Sequence, residues 1–208
     1  THFGKDILTV ENALLDINDK GYSVPSNDKL YNRKSGKYAK LMRQDISWMS
    51  EKIRKINRQP DIMNHNLRNH SDSIMTRFRL YQYLQNEGLS PKILNLPAQL
   101  DGSEADKNKE ICKHIEDCEL PAISPDGETL ASSLSELAKL IIKLQTKKHS
   151  QRPLKWNKPS PTIVSLPEDF VHPFMPRTMT VREMARFQSF PDNFEFRAKE
   201  TTGSLRRR

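Results

Sequence analysis

The polar side chains best placed for chemistry lie close together in residues 177–196, which read RTMTVREMARFQSFPDNFEF. Arg182 and Arg186 are four residues apart, so in a helix they lie one turn apart on the same side. Nucleophilic catalysis requires an activated hydroxyl, thiol or amine beside a base, and proton transfer requires a suitable titratable group. Two arginines and Glu183 provide neither. The segment therefore predicts a structural helix whose arginines bind neighbouring carbonyl or carboxylate groups, and it contains no catalytic residue.

The ends of this helix carry clear local signals. Thr180 followed by Glu183 is a capping box, in which each side chain accepts a hydrogen bond from the other residue's backbone N–H. Met179 and Met184 are spaced as a hydrophobic staple across the helix start, and Pro191 is expected to end the helix. One face is expected to carry four residues, with the arginines on the other side: Val181, Met184, Ala185 and Gln188.

Three potential zinc ligands lie near one another: Cys112, His114 and Cys118. A structural zinc site needs four ligands, and no second cluster lies nearby, so no metal site is predicted. Two cysteines in 208 residues form no disulfide framework, which fits a reducing compartment.

A basic segment from Lys139 to Lys158 contains seven Lys or Arg residues and no acidic one. Such a segment is either a solvated face or a surface that contacts phosphates. The residues at the exit of the preceding helix are the first candidates for DNA contact, although the cluster between Arg33 and Arg58 is a competing basic surface. These candidates are Lys147, Lys148, Arg152 and Lys155.

The composition supports a polyanionic partner. The formal net charge is +8, with 35% hydrophobic and 29% charged residues, and a basic excess of this size is typical of proteins that bind nucleic acid. A generally basic protein without such a partner is the alternative. No run of 18 apolar residues occurs, so no membrane span is predicted.

Hydrophobic periodicity predicts a helix-rich α+β fold with one small β element near the C-terminus. The helix preceding Gly88 is capped by Ser71 or Asp72 and ends near Asn86. The helix in 132–147 presents Leu134, Leu137, Ile141 and Leu144 as one apolar stripe. The other expected elements are helices in 9–18 and 38–57, loop in 21–36, a connector in 90–97, a peripheral acidic excursion with one short helix in 101–128, and two β segments in 161–172.

The segment 177–196 closely resembles motif IX of the DNA (cytosine-5)-methyltransferases. That motif runs Arg-x-Leu-Thr-x-Arg-Glu-x-Ala-Arg-Leu-Gln-x-Phe-Pro-Asp-x-Phe, and here Met179 and Phe187 replace its leucines. The positions in register are Arg177, Thr180, Arg182, Glu183, Ala185, Arg186, Gln188, Phe190, Pro191, Asp192 and Phe194.

Three further segments resemble the same family. PLKWNKPSPTIVSLPEDFVHP is similar to a Pro-Ser-Pro-Thr-Ile strand that leads to a His-Pro pair. NHNLRNHSDSIMTRF, residues 64–78, resembles a segment of one bacterial subgroup. LTVENALLDI resembles the stretch that follows motif VIII. The resemblance thus spans essentially the whole chain, although residues 90–150 carry no specific match.

Other motifs of the family have no counterpart in the sequence. The family's nucleophile is the cysteine of a Pro-Cys-Gln motif, and neither Cys112 nor Cys118 follows a proline. The seven glycines are scattered, so no Phe-x-Gly-x-Gly loop for the methyl donor is present. The final Gln-x-Gly-Asn-Ala-Val-Pro motif is also missing. We therefore expect a C-terminal piece, with a segment following the catalytic core in 1–60, a target-recognition region in 61–158, and a β element plus motif IX in 159–208.

The resemblance implies the function of the parent enzyme: methylation of C5 of a cytosine in duplex DNA, with S-adenosylmethionine as methyl donor. It implies no catalytic residue and no bound cofactor in this chain alone, a structural role for Arg177, Thr180, Arg182, Glu183, Arg186, Gln188 and Asp192, and a bacterial cytoplasmic, nucleoid-associated location. The expected partners are double-stranded DNA and a catalytic domain in the same chain or a separate subunit. The alternative is a non-catalytic DNA-binding module or the recognition subunit of a split methyltransferase.

Overall fold

The computed structural model describes residues 7–17, 36–43, 64–148, 150–163, 169–192 and 194–197. Helices predominate in these residues and two small sheets accompany them, as expected for the α+β class. The helices are α1 (Val10–Leu14), α2 (Lys37–Arg43), α3 (Asp72–Asn86), a 3-10 helix (Pro91–Ala98), α4 (Glu104–His114), α5 (Leu134–Lys143) and α6 (Val181–Phe187). The strands are β1 (Ala122–Ile123), β2 (Thr129–Ala131), β3 (Arg152–Pro153) and β4 (Phe170–Val171).

Several helices begin at the residue that their capping signal predicts. Thr180 caps α6 in a capping box with Glu183, and Ser103 caps α4 in the same way with Asp106. Helix α3 begins at Asp72, after Ser71, and the chain turns away at Gly88, whose φ of 78° is a conformation that glycine adopts without strain. The predicted bounds of α3 are therefore confirmed.

The larger core cluster forms around α3 and α5. Leu137, Ile141 and Leu144 of the predicted stripe are buried there against Phe78 and Leu84 of α3. The cluster also contains Ile111, Ile115 and Ala122 from the acidic region. The prediction that 101–128 is a peripheral excursion is therefore wrong in part. Its acidic side chains are mostly exposed, but two isoleucines one helical turn apart place the inner face of α4 in the core.

The strands differ most from expectation. Strands β1 and β2 pair antiparallel within the acidic region, and β3, which lies in the basic segment, pairs in parallel with β4. The second of the two predicted β segments is found as β4. No strand forms in 161–163, and residues 164–168 lie outside the described part, so the first segment stays a prediction. These pairings join residues far apart in sequence, and periodicity over two or three residues cannot predict them.

Other expectations are corrected or stay open. The predicted connector in 90–97 is a 3-10 helix with Leu94 fully buried, because Ser90 caps it and Pro91 is suited to a helix start. The described part of the helix predicted in 38–57 is α2. The loop predicted in 21–36 and most of the cluster between Arg33 and Arg58 lie outside the described residues.

A second core cluster packs α1, α2 and α6 around the β3–β4 pair. It contains Val10, Leu14, Tyr38, Met42, Leu154, Phe170, Met179 and Met184. Helix α1 also contacts the segment between β3 and β4, since the backbone N–H of Val10 donates to the carbonyl of Lys158. Both clusters draw on more than one of the three expected segments, whose boundaries stay a prediction. None of the described helices is long and apolar enough to span a membrane.

Candidate nucleic-acid interface and its supporting helix

The start of α6 is held by the carboxylate of Glu183, which is buried. Its oxygens accept two hydrogen bonds from the Arg177 guanidinium, at 2.7 and 2.9 Å, and a third from the backbone N–H of Thr180 at 2.7 Å. Burial acts to raise the pKa of the Glu183 carboxyl, but the hydrogen bonds and charge of Arg177 lower that pKa further than burial raises it. Glu183 is therefore an ionised, fully bonded cap and not a free acid or base.

Arg186 joins three separate segments from a fully buried position. Its Nη1 donates to the carbonyl of Ala13 at 2.7 Å and to the carboxylate of Asp16, and its Nε donates to Asp192 Oδ1 at 2.9 Å. Burial acts to lower the pKa of Arg186, but the bonds from Asp192 and Asp16 raise that pKa overall. The backbone carbonyl of the same residue accepts a hydrogen bond from the Tyr38 hydroxyl. A single charged side chain thus ties α6 to α1 and to the following turn.

Arg182 holds the segment that follows α6. Its guanidinium donates to the carbonyl of Pro191 at 2.7 Å and to the carbonyl of Phe194, and it lies 5.7 Å from the centre of the Phe196 ring. Its backbone N–H donates to the carbonyl of Asn64. Burial lowers the pKa of Arg182, and the charge of Asp192 opposes that shift. The group is surrounded by acceptors of this chain.

The two faces of α6 are buried to different depths. Val181 is 41% exposed and Gln188 is exposed, whereas Arg182 and Arg186 are 0% exposed, so the arginine side is the more deeply buried one. Polar helix faces are normally solvated, but here the carboxylates and carbonyls of other segments satisfy the charges. Gln188 is the C-terminal cap residue of α6, and its backbone N–H donates to the carbonyls of Ala185 and Arg186.

The helix also ends before Pro191. Its last residue is Phe187, and Ser189 adopts a φ of 60°. The N–H of Ser189 donates to the carbonyl of Arg186 and the N–H of Phe190 to that of Ala185, which is the Schellman arrangement. The left-handed residue, and not the proline, therefore stops α6.

Sequence reasoning missed the partners of α6. Asp16 and Tyr38 carry no motif that would mark them, since their contacts with Arg186 cross 170 and 148 residues of sequence. Asn64 and His65 lie in a segment that resembles the family, but the resemblance assigned them no role. The side chain of Asn64 exchanges two hydrogen bonds with the backbone of Phe196, and His65 Nδ1 lies 2.9 Å from Thr180 Oγ1.

The candidate DNA-contact residues follow α5 in a segment that lies beside α3. Arg77 Nε donates to the carbonyl of Leu144 at 3.2 Å, and Gln85 Nε2 donates to that of Leu154 at 3.3 Å. Eight residues of helix separate these donors, which corresponds to about 12 Å. The segment between the two leucines therefore runs beside about 12 Å of α3, which is roughly the axial length of three base pairs of DNA.

All four candidates are exposed: Lys147, Lys148, Arg152 and Lys155. The Arg152 guanidinium lies 5.6 Å from the centre of the Phe170 ring. No carboxylate in the described part of the chain forms an ion pair with any of the four, although Asp169 accepts a hydrogen bond from the nearby Ser150. The positive charge of this segment is thus available to a ligand, unlike that of Arg177, Arg182 and Arg186.

The cysteines do not form a site. Cys112 and Cys118 are both thiols, and the described residues contain no group of three or more side chains arranged to hold a metal ion. Burial raises the pKa of the Cys118 thiol, which opposes the thiolate form that nucleophilic attack or metal binding requires.

We predict that Arg186→Ala lowers the free energy of unfolding by about 3–5 kcal/mol, because it leaves two buried carboxylates without their cation. Arg186→Lys should recover only part of the loss, since an ammonium cannot reproduce the guanidinium fork. Urea unfolding measures the free energy of unfolding of both variants. Arg197→Ala is the matched control, since Arg197 pairs with Glu195 in solvent and its loss should change stability little. Equal stability of the Arg186 and Arg197 variants would contradict the bracing role.

Glu183→Gln should lower the free energy of unfolding at neutral pH by about 3 kcal/mol and flatten its dependence on pH. Because the pKa of Glu183 is lowered in the folded protein, its stabilisation is complete above the ordinary value of 4.5 and is lost as the pH falls below that value. Urea midpoints between about pH 7 and pH 3 measure the effect. The control is Glu116→Gln, since Glu116 is exposed. If the Glu183 variant loses as much stability with falling pH as the wild type does, Glu183 is not the source of the pH dependence.

Comparisons with known proteins identify the family of the chain. A family model described as C-5 cytosine-specific DNA methylase matches residues 12–208. The chain is 38% identical over 84 residues to the type II methyltransferase M.AquIB of Picosynechococcus, covering 40% of this chain and 60% of that one. It is 47% identical over 57 residues to the type II methyltransferase M.DdeI of Desulfomicrobium norvegicum, covering 27% of this chain and 14% of that one.

A plant protein matches as well. The DNA (cytosine-5)-methyltransferase CMT2 of Arabidopsis thaliana is 35% identical over 83 residues, which is 36% of this chain and 6% of that protein. The chain spans less than two thirds of the length of each of these curated relatives. No solved structure matches the chain. Because the family model covers nearly all of its residues, the chain belongs to the C-5 cytosine-specific DNA methylase family.

Proposed function

We propose that this chain supplies the target-recognition region and the motif IX helix of a DNA (cytosine-5)-methyltransferase. The observation that carries the proposal is the contrast between two sets of cations. Arg182 and Arg186 are buried and bonded within the chain, whereas Lys147, Lys148, Arg152 and Lys155 are exposed without an acidic partner among the described residues. The first set supports the fold, and the second binds the phosphates of duplex DNA.

Phosphate contacts fix the position and register of a protein on the duplex, and base contacts in the grooves then specify the sequence. The enzyme acts on C5 of a cytosine, an atom that the protein reaches only after the base leaves the stack. The role of the basic segment is to hold the duplex in register while this happens. Arg177, Thr180, Glu183 and Asp192 keep α6 in place as part of the supporting structure.

The described residues do not fit S-adenosylmethionine. Gly88, Gly102 and Gly127 have positive φ but stand singly in turns, and none opens a glycine-rich loop between a strand and a helix. Neither cysteine follows a proline. Methyl-donor binding and nucleophilic attack therefore belong to a catalytic domain, either elsewhere in the same protein or in a separate subunit.

A second arrangement is the recognition subunit of a split methyltransferase. The 84 residues aligned with M.AquIB are 60% of that relative, so that relative is itself a short chain. The 83 residues aligned with the Arabidopsis protein are only 6% of a much longer one. In the joined and in the split arrangement of the enzyme proposed here, the recognition surface lies beside a catalytic domain. The two arrangements differ in whether a covalent connection to that domain is required.

We predict that neutralising Lys147, Lys148 and Arg152 together reduces the salt dependence of duplex binding. Each phosphate contact releases counterions and contributes about 0.9 to the slope of log K against log salt concentration, so the slope should fall by about two to three. Fluorescence anisotropy with a labelled duplex of mixed sequence measures the slope. Preference among different duplex sequences should change little, because phosphate contacts carry no sequence information.

The matched control neutralises three lysines on α4: Lys107, Lys109 and Lys113. It removes the same charge, but these residues lie among acidic side chains, and Lys113 pairs with Glu110 at 2.7 Å. Its slope should equal that of the wild type. If both triple variants lose the same slope, general charge drives binding and the basic segment is no specific interface. If neither variant changes the slope, the segment is a solvated face.

We further predict that the purified chain incorporates no labelled methyl group from S-adenosylmethionine into duplex DNA. Addition of a separate chain that carries the Pro-Cys motif and the glycine-rich loop should produce incorporation. Arg186→Ala in that mixture should reduce it, because α6 loses its supports. Methyl transfer by the purified chain alone would contradict the assignment of catalysis to another domain. Activity only in a covalently joined protein would exclude the split arrangement.

A further inference from the structure

Three large apolar side chains are exposed at the start of α6 and in the two segments bonded to it. Leu67 is 46% exposed, Val181 is 41% exposed and Phe194 is 39% exposed. They are half of the six large apolar side chains that are exposed in the described part of the chain. Single exposed apolar residues are ordinary on a protein surface, whereas several together mark a surface that binds another apolar surface.

Asn64 brings the three segments together. Its carbonyl accepts a hydrogen bond at 3.0 Å from the backbone N–H of Arg182, the residue that follows Val181. Its side chain exchanges two hydrogen bonds with the backbone of Phe196, each at 2.9 Å. Leu67 follows Asn64 by three residues, which places it within about 11 Å of this junction. The exposed side chains of the three segments therefore surround one fixed point of the fold.

The ring of Phe194 is held in a cluster of three aromatic rings. Its centre lies 5.1 Å from that of Phe190 and 4.9 Å from that of Phe196. Phe190 and Phe196 are half-buried, and the backbone carbonyl of Phe194 accepts a hydrogen bond from Arg182. The exposed ring is thus fixed in position before any partner binds. We call Leu67, Val181 and the three rings the apolar patch.

The arginines that flank the rings are bonded within the chain. Arg182 donates to the carbonyls of Pro191 and Phe194, and Arg197 lies 2.6 Å from the carboxylate of Glu195. Surfaces that stack bases on aromatic rings combine those rings with cations that contact the nucleic-acid backbone. Because these two arginines already have acceptors, the apolar patch fits an apolar protein surface better than it fits DNA.

We propose that the apolar patch is the surface on which the catalytic domain of the methyltransferase docks, with an apolar surface of its own. The inference rests on the proposed function, in which another domain holds the methyl donor and the nucleophilic cysteine and must therefore contact this chain. Aromatic residues are enriched at protein interfaces, since a rigid ring buries a large area at a small cost in conformational entropy. Arg197 is the last described residue and lies beside the patch, so in the joined arrangement the residues that follow it start at this surface.

Reconstitution of methyl transfer tests the docking surface. The probe is the polypeptide that carries the Pro-Cys motif and the glycine-rich loop, mixed as a separate chain with this one, labelled S-adenosylmethionine and duplex DNA. The double variant Leu67→Gln, Val181→Gln should raise the concentration of this chain that gives half-maximal incorporation by about tenfold to thirtyfold, because two apolar side chains no longer leave water on docking. The rate at saturating concentration should equal that of the wild type, since the assembled enzyme is the same.

The matched control is the double variant Leu120→Gln, Ile123→Gln. These side chains are 39% and 48% exposed and lie in and beside β1, so the half-maximal concentration should stay at the wild-type value. Both double variants should melt at the wild-type temperature, because polar residues are tolerated at exposed positions. A lower melting temperature of the Leu67 and Val181 variant alone would mean that another part of this chain covers the patch, which overturns the proposal.

The joined protein provides the same test if separate chains do not reconstitute activity. The urea concentration that halves methyl transfer should then be lower for the Leu67 and Val181 variant than for the Leu120 and Ile123 variant, because a weaker interface separates the two domains earlier. Equal urea concentrations for the two variants would refute the docking surface.

Duplex binding separates this inference from the proposed function. The Leu67 and Val181 variant should bind duplex with the wild-type affinity and salt slope, and a loss of affinity would show that the patch contacts DNA instead. If this variant reconstitutes methyl transfer at wild-type concentrations while neutralisation of the basic segment still lowers the salt slope, the catalytic domain docks elsewhere and only this inference is refuted. If the wild-type chain shows neither salt-dependent duplex binding nor methyl transfer in any arrangement, the proposed function fails and this inference with it.

Discussion

The buried guanidinium of Arg186 is the interaction on which the arrangement of this region depends. Moving a charge from water into a protein interior costs several kcal/mol unless its hydrogen bonds are replaced. Here the replacement comes from Ala13 and Asp16 at one end of the chain and Asp192 at the other. None of these partners is a neighbour of Arg186 within α6. The charge is therefore satisfied only when α1, α6 and the turn after α6 are all in place, which makes these segments one cooperative unit.

This constraint also divides the cations of the chain into two groups. Arginines whose donors are saturated by the protein have nothing left to offer a ligand, although their residue type is the one that binds phosphate best. The exposed segment beside α3 carries positive charge for which the described residues provide no carboxylate partner. A basic composition predicts a polyanionic partner, while burial decides which of the basic residues can serve it.

Local signals predicted the elements whose causes are local. The capping box of α6, the end of α3 at Gly88 and the apolar stripe of α5 each depend on residues within one or two turns, and all three are found. The parallel pair of β3 and β4, the burial of Ile111 and the partners of Arg186 depend on contacts across long stretches of sequence. Periodicity did not predict how deeply the arginines of α6 are buried, because it takes no account of the distant carboxylates that allow an arginine face to be buried.

The exposed segment is itself connected to the part of the chain that has no specific match in the family. The backbone N–H of Thr146 donates to the carbonyl of Leu94 at 3.2 Å, so the residue before Lys147 is tied to the 3-10 helix. Arg77 ties Leu144 to α3 from the other side. The position of the lysines is therefore set jointly by a helix within the resembling region and by an element within the variable one. If the lysines bind phosphates as proposed, substitutions around Leu94 leave them in position only while this backbone bond is kept.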